Sequence, residues 1–324
     1  MSTSAVELRL ALAGVSTPTV SGVNAVQWPG SAAYRIGRGL EGSYVVLTPP
    51  DSQPEPATSL RRITLAPRIR CRVVGPGGRV EELDAGLIEF RDDGPDLVDH
   101  FLRVAATLVD ALGEDPGPGA VSRAMQQLLR LFESSVPARG SVVGLWGELL
   151  VIAESAEPTS LIDAWHAQVD DRFDFAAQGF RLEVKTTTRA SRLHRFGLEQ
   201  LLPVAGSTQH VLSIMTTETD LGTSVNDLVK DVQSLIAGDP ARQLKMLTQV
   251  AMTLGVDWPD TARRRFDRSA AQESMAIFDA AAVPRVPSGP PQVSDIEFSV
   301  DLSDVASVNF GELRGLAGMI AAGN

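Results

Sequence analysis

The amino-acid sequence predicts an α/β protein of the α+β kind, and three observations carry that prediction. Short alternating runs bounded by Gly and Pro occupy residues 1–90, apolar residues at helical spacing dominate 91–139, and helix-like and strand-like segments succeed one another from Gly140. These are the patterns of a sheet, a helical layer and a mixed layer. With 324 residues, 44 % of them apolar, the chain exceeds one typical domain and can bury a sizeable core. The expected parts are a mainly-β N-terminal domain (1–90), a helical connector (91–139), a mixed core (140–222) and helical and β C-terminal additions (223–324).

In the first part, Ala33–Ile36, Ser43–Leu47 and Ile69–Val74 alternate as strands do, bounded by turn-like Pro49-Pro50-Asp51 and Gly75-Pro76-Gly77-Gly78. Leu97, Phe101, Leu108 and Leu112 then recur at helical spacing up to Gly113, and a second helix is expected over about 121–132. The mixed core reads as helix (Val143–Ala156), strand (Leu161–His166), strand (Arg172–Ala176), strand (Phe180–Thr186), helix (Gly197–Leu202) and strand (His210–Met215), an αβββαβ order. Amphipathic helices are expected over Val225–Ile236 and Ala241–Leu254, a loop over Val286–Pro291 and a half-exposed strand over Ile296–Leu302.

The segment from Arg172 to Lys185 carries the chemistry. It reads as a β-hairpin turning at Gln178-Gly179, because glycine supplies the positive φ of a tight turn. That register sets Asp174 opposite Glu183 and Arg172 opposite Lys185 on one face, with Phe173, Phe175, Leu182 and Val184 on the other, facing a core. Like charges opposed across a ladder destabilise it, and a divalent cation would remove the conflict. Mg²⁺, with Mn²⁺ as an alternative, takes oxygen ligands from one or two carboxylates plus water and phosphate. Lys185, beside Glu183, could orient or deprotonate an attacking water, and the set suits metal-assisted phosphodiester hydrolysis. The same residues also fit a structural hairpin with a solvated salt-bridge ladder.

Asp174, eight intervening residues, then Glu183-Val184-Lys185 resembles the PD-(D/E)XK nuclease signature. Gly144-Leu-Trp-Gly-Glu148, Asp163-Ala-Trp-His166 and Leu182-Glu-Val-Lys-Thr-Thr187 resemble, more narrowly, a bacterial family known as "PD-(D/E)XK motif protein", over about residues 140–215. The resemblance implies a restriction-endonuclease-like core with a mixed central sheet. It also implies Glu148 as an additional ligand or metal-water anchor, cleavage that leaves a 5′-phosphate, and a restriction or phage-defence setting beside other defence proteins. Phe173 stands where the signature places proline.

Composition narrows the classes. One cysteine, Cys71, excludes an internal disulfide, and four scattered histidines offer no zinc cluster, so any metal is expected to be held by oxygen. No apolar run is long enough to span a bilayer and Met1-Ser-Thr-Ser-Ala5 lacks the start of a secretory signal, so cytoplasmic residence without membrane contact is expected. The net charge of −11 is unusual for a protein that grips DNA, but the basic residues cluster. Arg68, Arg70 and Arg72 alternate along a strand; Arg189, Arg192, His194 and Arg195 follow Lys185; Arg263, Arg264, Arg265 and Arg268 form a third group. The first two groups, with Gln200 on the helix after Lys185, are the candidate DNA contacts; for the first, an exposed charged face is the competing reading. Trp146 and Trp165 read as core. A homodimer would suit double-strand cutting. A catalytically silent DNA-binding or assembly subunit is the alternative function, and no phosphate-cradling Gly loop or nucleophile triad supports a metabolic enzyme.

Overall fold

The computed structural model describes residues 3–60, 62–91, 94–133, 141–166, 171–254, 263–287, 292–293 and 295–309. The chain forms two compact units, Met1–Val136 with Gly238–Ala251, and Pro137–Ala237 with Met252–Asn324.

In the first unit, strands β1 (Val23–Gln27), β2 (Arg35–Arg38), β3 (Tyr44–Thr48), β4 (Thr58–Ser59), β5 (Ile63–Val74) and β6 (Val80–Phe90) form one sheet in the order β1-β2-β3-β6-β5-β4. β1 also pairs in parallel with β5, Val23 opposite Val73 and Asn24 opposite Val74. That pairing closes five strands into a ring, and an odd number of alternating strands requires one parallel junction when it closes. Val23, Ala25, Val45, Leu47, Val73 and Ala85 fill the ring. Pro67 lies where the β5–β6 register shifts, between Ala66 and Ile69, a place where its missing N–H costs the ladder nothing. Helices α1 (Ala5–Ala13), α2 (Pro95–Leu112) and α3 (Ala120–Glu133) accompany the sheet. α1 was not foreseen, although Ser4 and Glu7 form a capping box at its start.

The second unit holds helices α4 (Val142–Ala153), α5 (Pro158–Ala164) and α6 (Val225–Leu235), and later α8 (Arg268–Ser274); α7 (Pro240–Leu254) precedes α8 in the chain. Its main sheet contains β7 (Phe175–Ala177), β8 (Phe180–Thr187), β10 (Thr208–Met215) and β13 (Ala276–Asp279) in the order β13-β10-β8-β7. β8 and β10 run parallel and the outer pairs antiparallel, so the sheet is mixed. β9 (Leu193–Gly197) pairs with β14 (Glu297–Asp301), and β11 (Glu218–Ser224) with β12 (Arg265–Phe266).

The hairpin has the register read from sequence. Phe175 faces Leu182, Ala176 faces Arg181, Ala177 faces Phe180, and Gly179 turns at φ 73°. The ladder stops at Phe175, so neither the expected pairing of Asp174 with Glu183 nor that of Arg172 with Lys185 forms in the ladder. The Asp174 carbonyl accepts instead from the His166 N–H at 2.8 Å.

The strand expected over Leu161–His166 is mostly helix, α5, with one β-bridge from Trp165 to Phe175. Leu161, Ile162, Ala164 and Trp165 are all buried, and a short apolar run of this kind fits either period. Pro158 in the first turn of α5 decides for helix. The helix expected over Gly197–Leu202 is a short 3₁₀ turn, Leu198–Leu201, preceded by the unforeseen β9. Part of the expected loop Val286–Pro291 lies outside the described residues.

Candidate metal centre

Helix α4 is apolar around its whole circumference and packs against β8 and α6, so it is a buried helix rather than a surface one. A Cβ added at Gly147 would lie 1.8 Å from Thr186 Oγ1, and only glycine lets α4 approach β8 this closely. Trp146 fixes the helix from its other side, packing on Phe266 and donating from its indole N–H to the Thr223 carbonyl at 2.9 Å. Glu148, the acidic residue of this buried helix, is thereby held inside the unit at 9 % exposure.

Glu148 Oε2 accepts from Trp165 Nε1 at 2.6 Å and lies 3.2 Å from His166 Nε2. Asp174, just before β7, accepts on Oδ2 from the Val184 N–H at 2.6 Å. Glu148, His166 and Asp174 each bring one ligand atom to within 4.8 Å of the others. Next to them, Glu183 on β8 is 3 % exposed; its Oε1 accepts from Lys185 Nζ at 2.7 Å and from Gln200 Nε2. Gln200 Oε1 accepts in turn from Lys185 Nζ at 3.2 Å and the Gly197 N–H at 3.0 Å.

Burial pushes the Asp174 carboxyl well above the usual carboxylate range, and the charges of Glu183 and Glu148 push it further; Lys185 and the Val184 N–H offset part of this. Burial raises Glu183 as well, against the charge and hydrogen bond of Lys185. The donor set fits a divalent cation. Glu183 Oε2 is buried with no hydrogen-bond partner among the described residues, and one ammonium, Lys185, with one imidazole does not balance three interacting carboxylates.

His166 was not assigned from sequence, which expected oxygen ligands alone; its ring nitrogen is one of the three candidate ligand atoms. The tetrapeptide Asp163-Ala-Trp-His166 was the available signal. Trp165 is core at 1 % exposure, as expected, and is also the donor that orients Glu148.

Lys185, Arg195 and Gln200 line a cleft of about 990 Å³ together with Arg172, Asp171, Glu199, Asp295 and Glu297. Arg195 is ion-paired with Glu297. Arg192 donates to the Ser213 carbonyl and hydroxyl and to the Ser274 carbonyl, so its guanidinium is a structural brace. His194, read as a phosphate donor, is 4 % exposed and bonded to Ser213 Oγ at 2.7 Å; burial, then Lys185 and Arg192, bring its pKa down to about 4. Arg189 is exposed. Arg68, Arg70 and Arg72 belong to the first unit, where Asp84 pairs with Arg68 at 3.2 Å and Glu82 with Arg70 at 3.4 Å.

A buried helix carrying a glutamate, an aspartate at the mouth of a hairpin and a Glu-x-Lys strand beside it define the class: a PD-(D/E)XK-type protein. The particular family follows from comparison, since residues 20–303 match the one described as "Putative PD-(D/E)XK family member" (DUF4420), and the chain belongs to it. The likeness therefore extends well beyond the 140–215 segment that carried the resemblance in sequence. No curated protein and no solved structure matches the chain.

Proposed function

We propose that the protein is a divalent-metal-dependent DNA endonuclease with a restriction-endonuclease-like core, acting in a restriction or phage-defence system. The observation that carries this reading is the pairing of a ligand cluster, Glu148, His166 and Asp174, with a Lys185 ammonium at the wall of an open cleft. Glu148, His166 and Asp174 would hold the cation, Mg²⁺ or Mn²⁺, with the open oxygen of Glu183 as a further donor. Once bound, the cation would supply Lewis-acid stabilisation of phosphate charge and acidify a water.

The remaining work falls to side chains. Lys185, steadied by Glu183 and Gln200, orients the attacking water and offsets charge on the pentavalent phosphorane. The water oxygen adds to phosphorus in line with the leaving group, the P–O3′ bond breaks, and the products carry a 3′-hydroxyl and a 5′-phosphate. The Val184 N–H holds Asp174 in place, and the Trp165 indole does the same for Glu148.

The test incubates purified protein with plasmid and linear DNA in Mg²⁺, Mn²⁺ or EDTA, beside Asp174→Ala and Lys185→Ala. Cutting by the wild type that needs metal and is lost in both variants supports the proposal. The alternative, a non-cleaving DNA-binding or assembly subunit, draws support from the acids lining the cleft and the net charge of −11. It prevails if the wild type binds DNA and never cuts, even with neighbouring gene products added.

A further inference from the structure

Glu148, Asp174 and Glu183 bring oxygen to the centre, and His166 brings a nitrogen, which changes the cation that suits the set. Its placement is fixed from two sides. α5 ends at Ala164, and the next two residues both reach one oxygen: Glu148 Oε2 lies 2.6 Å from Trp165 Nε1 and 3.2 Å from His166 Nε2. The backbone holds the same dipeptide, since Trp165 bridges to Phe175 and the His166 N–H donates to the Asp174 carbonyl at 2.8 Å. The His166 side chain is only 9 % exposed, so its imidazole is turned into the cluster and away from solvent. Neighbouring ligand atoms on an octahedral cation with bonds of about 2.1 Å stand roughly 3.0 Å apart. The Nε2–Oε2 separation of 3.2 Å is close to that spacing, and Asp174 has a ligand atom within 4.8 Å of both. His166 is the one of the four histidines in this cluster.

Mg²⁺ prefers oxygen ligands and parts from its waters reluctantly, so it gains little from an imidazole. A first-row transition-metal dication does gain from nitrogen, and Mn²⁺, the lowest of that series, also accepts the oxygen-rich remainder of the set. We propose that His166 is the metal-selecting residue of the centre, giving it a preference for Mn²⁺ over Mg²⁺. This preference rests on the metal centre of the nuclease reading and names the ion that the centre takes. The competing role for His166 is that of an imidazolium which offsets the charge of Glu148 and never touches a metal. The two roles differ in what a bound ion would report.

Isothermal titration of the full-length, metal-free protein is expected to show Mn²⁺ binding about 30-fold tighter than Mg²⁺. In His166→Asp, which offers oxygen alone, that ratio should fall below about fivefold. Thermal melts without metal establish that the variant folds. A second readout needs no variant: electron spin-echo spectra of the Mn²⁺-loaded wild type should carry the ¹⁴N modulation of a coordinated imidazole, and ¹⁵N-histidine labelling should convert it to the ¹⁵N pattern. The proposal is overturned if that modulation is absent, if wild type binds the two ions within about fivefold of each other, or if His166→Asp keeps the wild-type ratio. Equal binding of both ions would remove the selecting role of His166 and leave the nuclease reading standing. Binding of neither ion would overturn both.

Discussion

Gly147→Ala tests the packing that places the metal ligands. The added methyl would sit 1.8 Å from Thr186 Oγ1, 3.0 Å from its Cβ and 3.4 Å from its Cγ2. Ordinary carbon–oxygen and carbon–carbon contact needs about 3.5 Å, so α4 and β8 must separate by roughly 1.7 Å at this point. A close-packed interior has no such slack, and overpacking of this kind costs about 1–3 kcal/mol. Alanine recovers up to about 1 kcal/mol of helix propensity over glycine, leaving a net loss expected near 1 kcal/mol. The loss should appear as a lower urea midpoint with an unchanged slope. Glu148 follows Gly147 and Lys185 precedes Thr186, so metal affinity measured by titration should fall in the same variant. Thr186→Ala removes the nearest atom, and Gly147→Ala with Thr186→Ala should recover at least half of the lost stability. A Gly147→Ala protein within about 0.5 kcal/mol of wild type, the range of ordinary surface changes, would refute the close-approach argument, as would a double variant with no recovery.

Trp165→Phe keeps the buried ring and deletes the N–H that Glu148 accepts; second-sphere losses of this kind cost about 10–100-fold in metal affinity, readable by Mn²⁺ titration, and an unchanged affinity would deny the indole its orienting part. Asp174→Asn relieves the like-charge crowding with Glu183 and Glu148, so the metal-free variant should melt higher than metal-free wild type while losing the metal-induced rise in Tm; a lower Tm without metal would contradict the crowding. Asp51, 2 % exposed, would be raised by burial, but N–H bonds from Gln53, Ser122 and Gly119 outweigh that and hold its pKa at about 2. Its folded pKa is depressed, so its contribution is present above pH ~4 and lost as pH falls toward 2; about 2 kcal/mol is at stake. The stability gap between wild type and Asp51→Asn should close over that window in urea melts, and a gap constant from pH 6 to pH 2 would refute it.

The hairpin was legible because its information is local: alternation, a turn glycine and period-2 geometry fix which residues share a face. The register emerged as read, Phe175 on Leu182. Phe173, Phe175, Leu182 and Val184 are all buried. What sequence left open depends on contacts between distant segments. His166 reaches the acids through an N–H bond to Asp174, and nothing in a periodicity scan marks that. The segment Leu161–His166 is ambiguous for the same reason, since its apolar run satisfies both periods until Pro158 is weighed. Gln200, read as either a phosphate contact or an exposed helix-face amide, spends its side chain on Glu183, Lys185 and Gly197, a role visible only once the 3₁₀ turn brings it beside β8.

Charge bookkeeping along the chain explains how an acidic protein can still be read as acting on a polyanion. The third basic group is committed within its own unit: Arg264 pairs with Glu218, Arg265 with Asp227, and Arg268 with both Glu154 and Asp231. Arg172 donates to the Leu202 carbonyl, Arg192 braces Ser213 and Ser274, and Arg195 pairs with Glu297. Lys185, itself ion-paired with Glu183, lines a cleft that also carries Asp171, Glu199 and Asp295, and Arg189 is exposed. Few side-chain cations means few counterions released per binding event, because the salt dependence of affinity scales with the number of phosphates neutralised. On the proposed reading, the attraction for DNA would therefore come mainly through the metal, and affinity would respond steeply to Mn²⁺ or Mg²⁺ and only weakly to added KCl. A steep KCl dependence with metal held constant would instead require a basic surface that the ion pairs of this unit do not leave available.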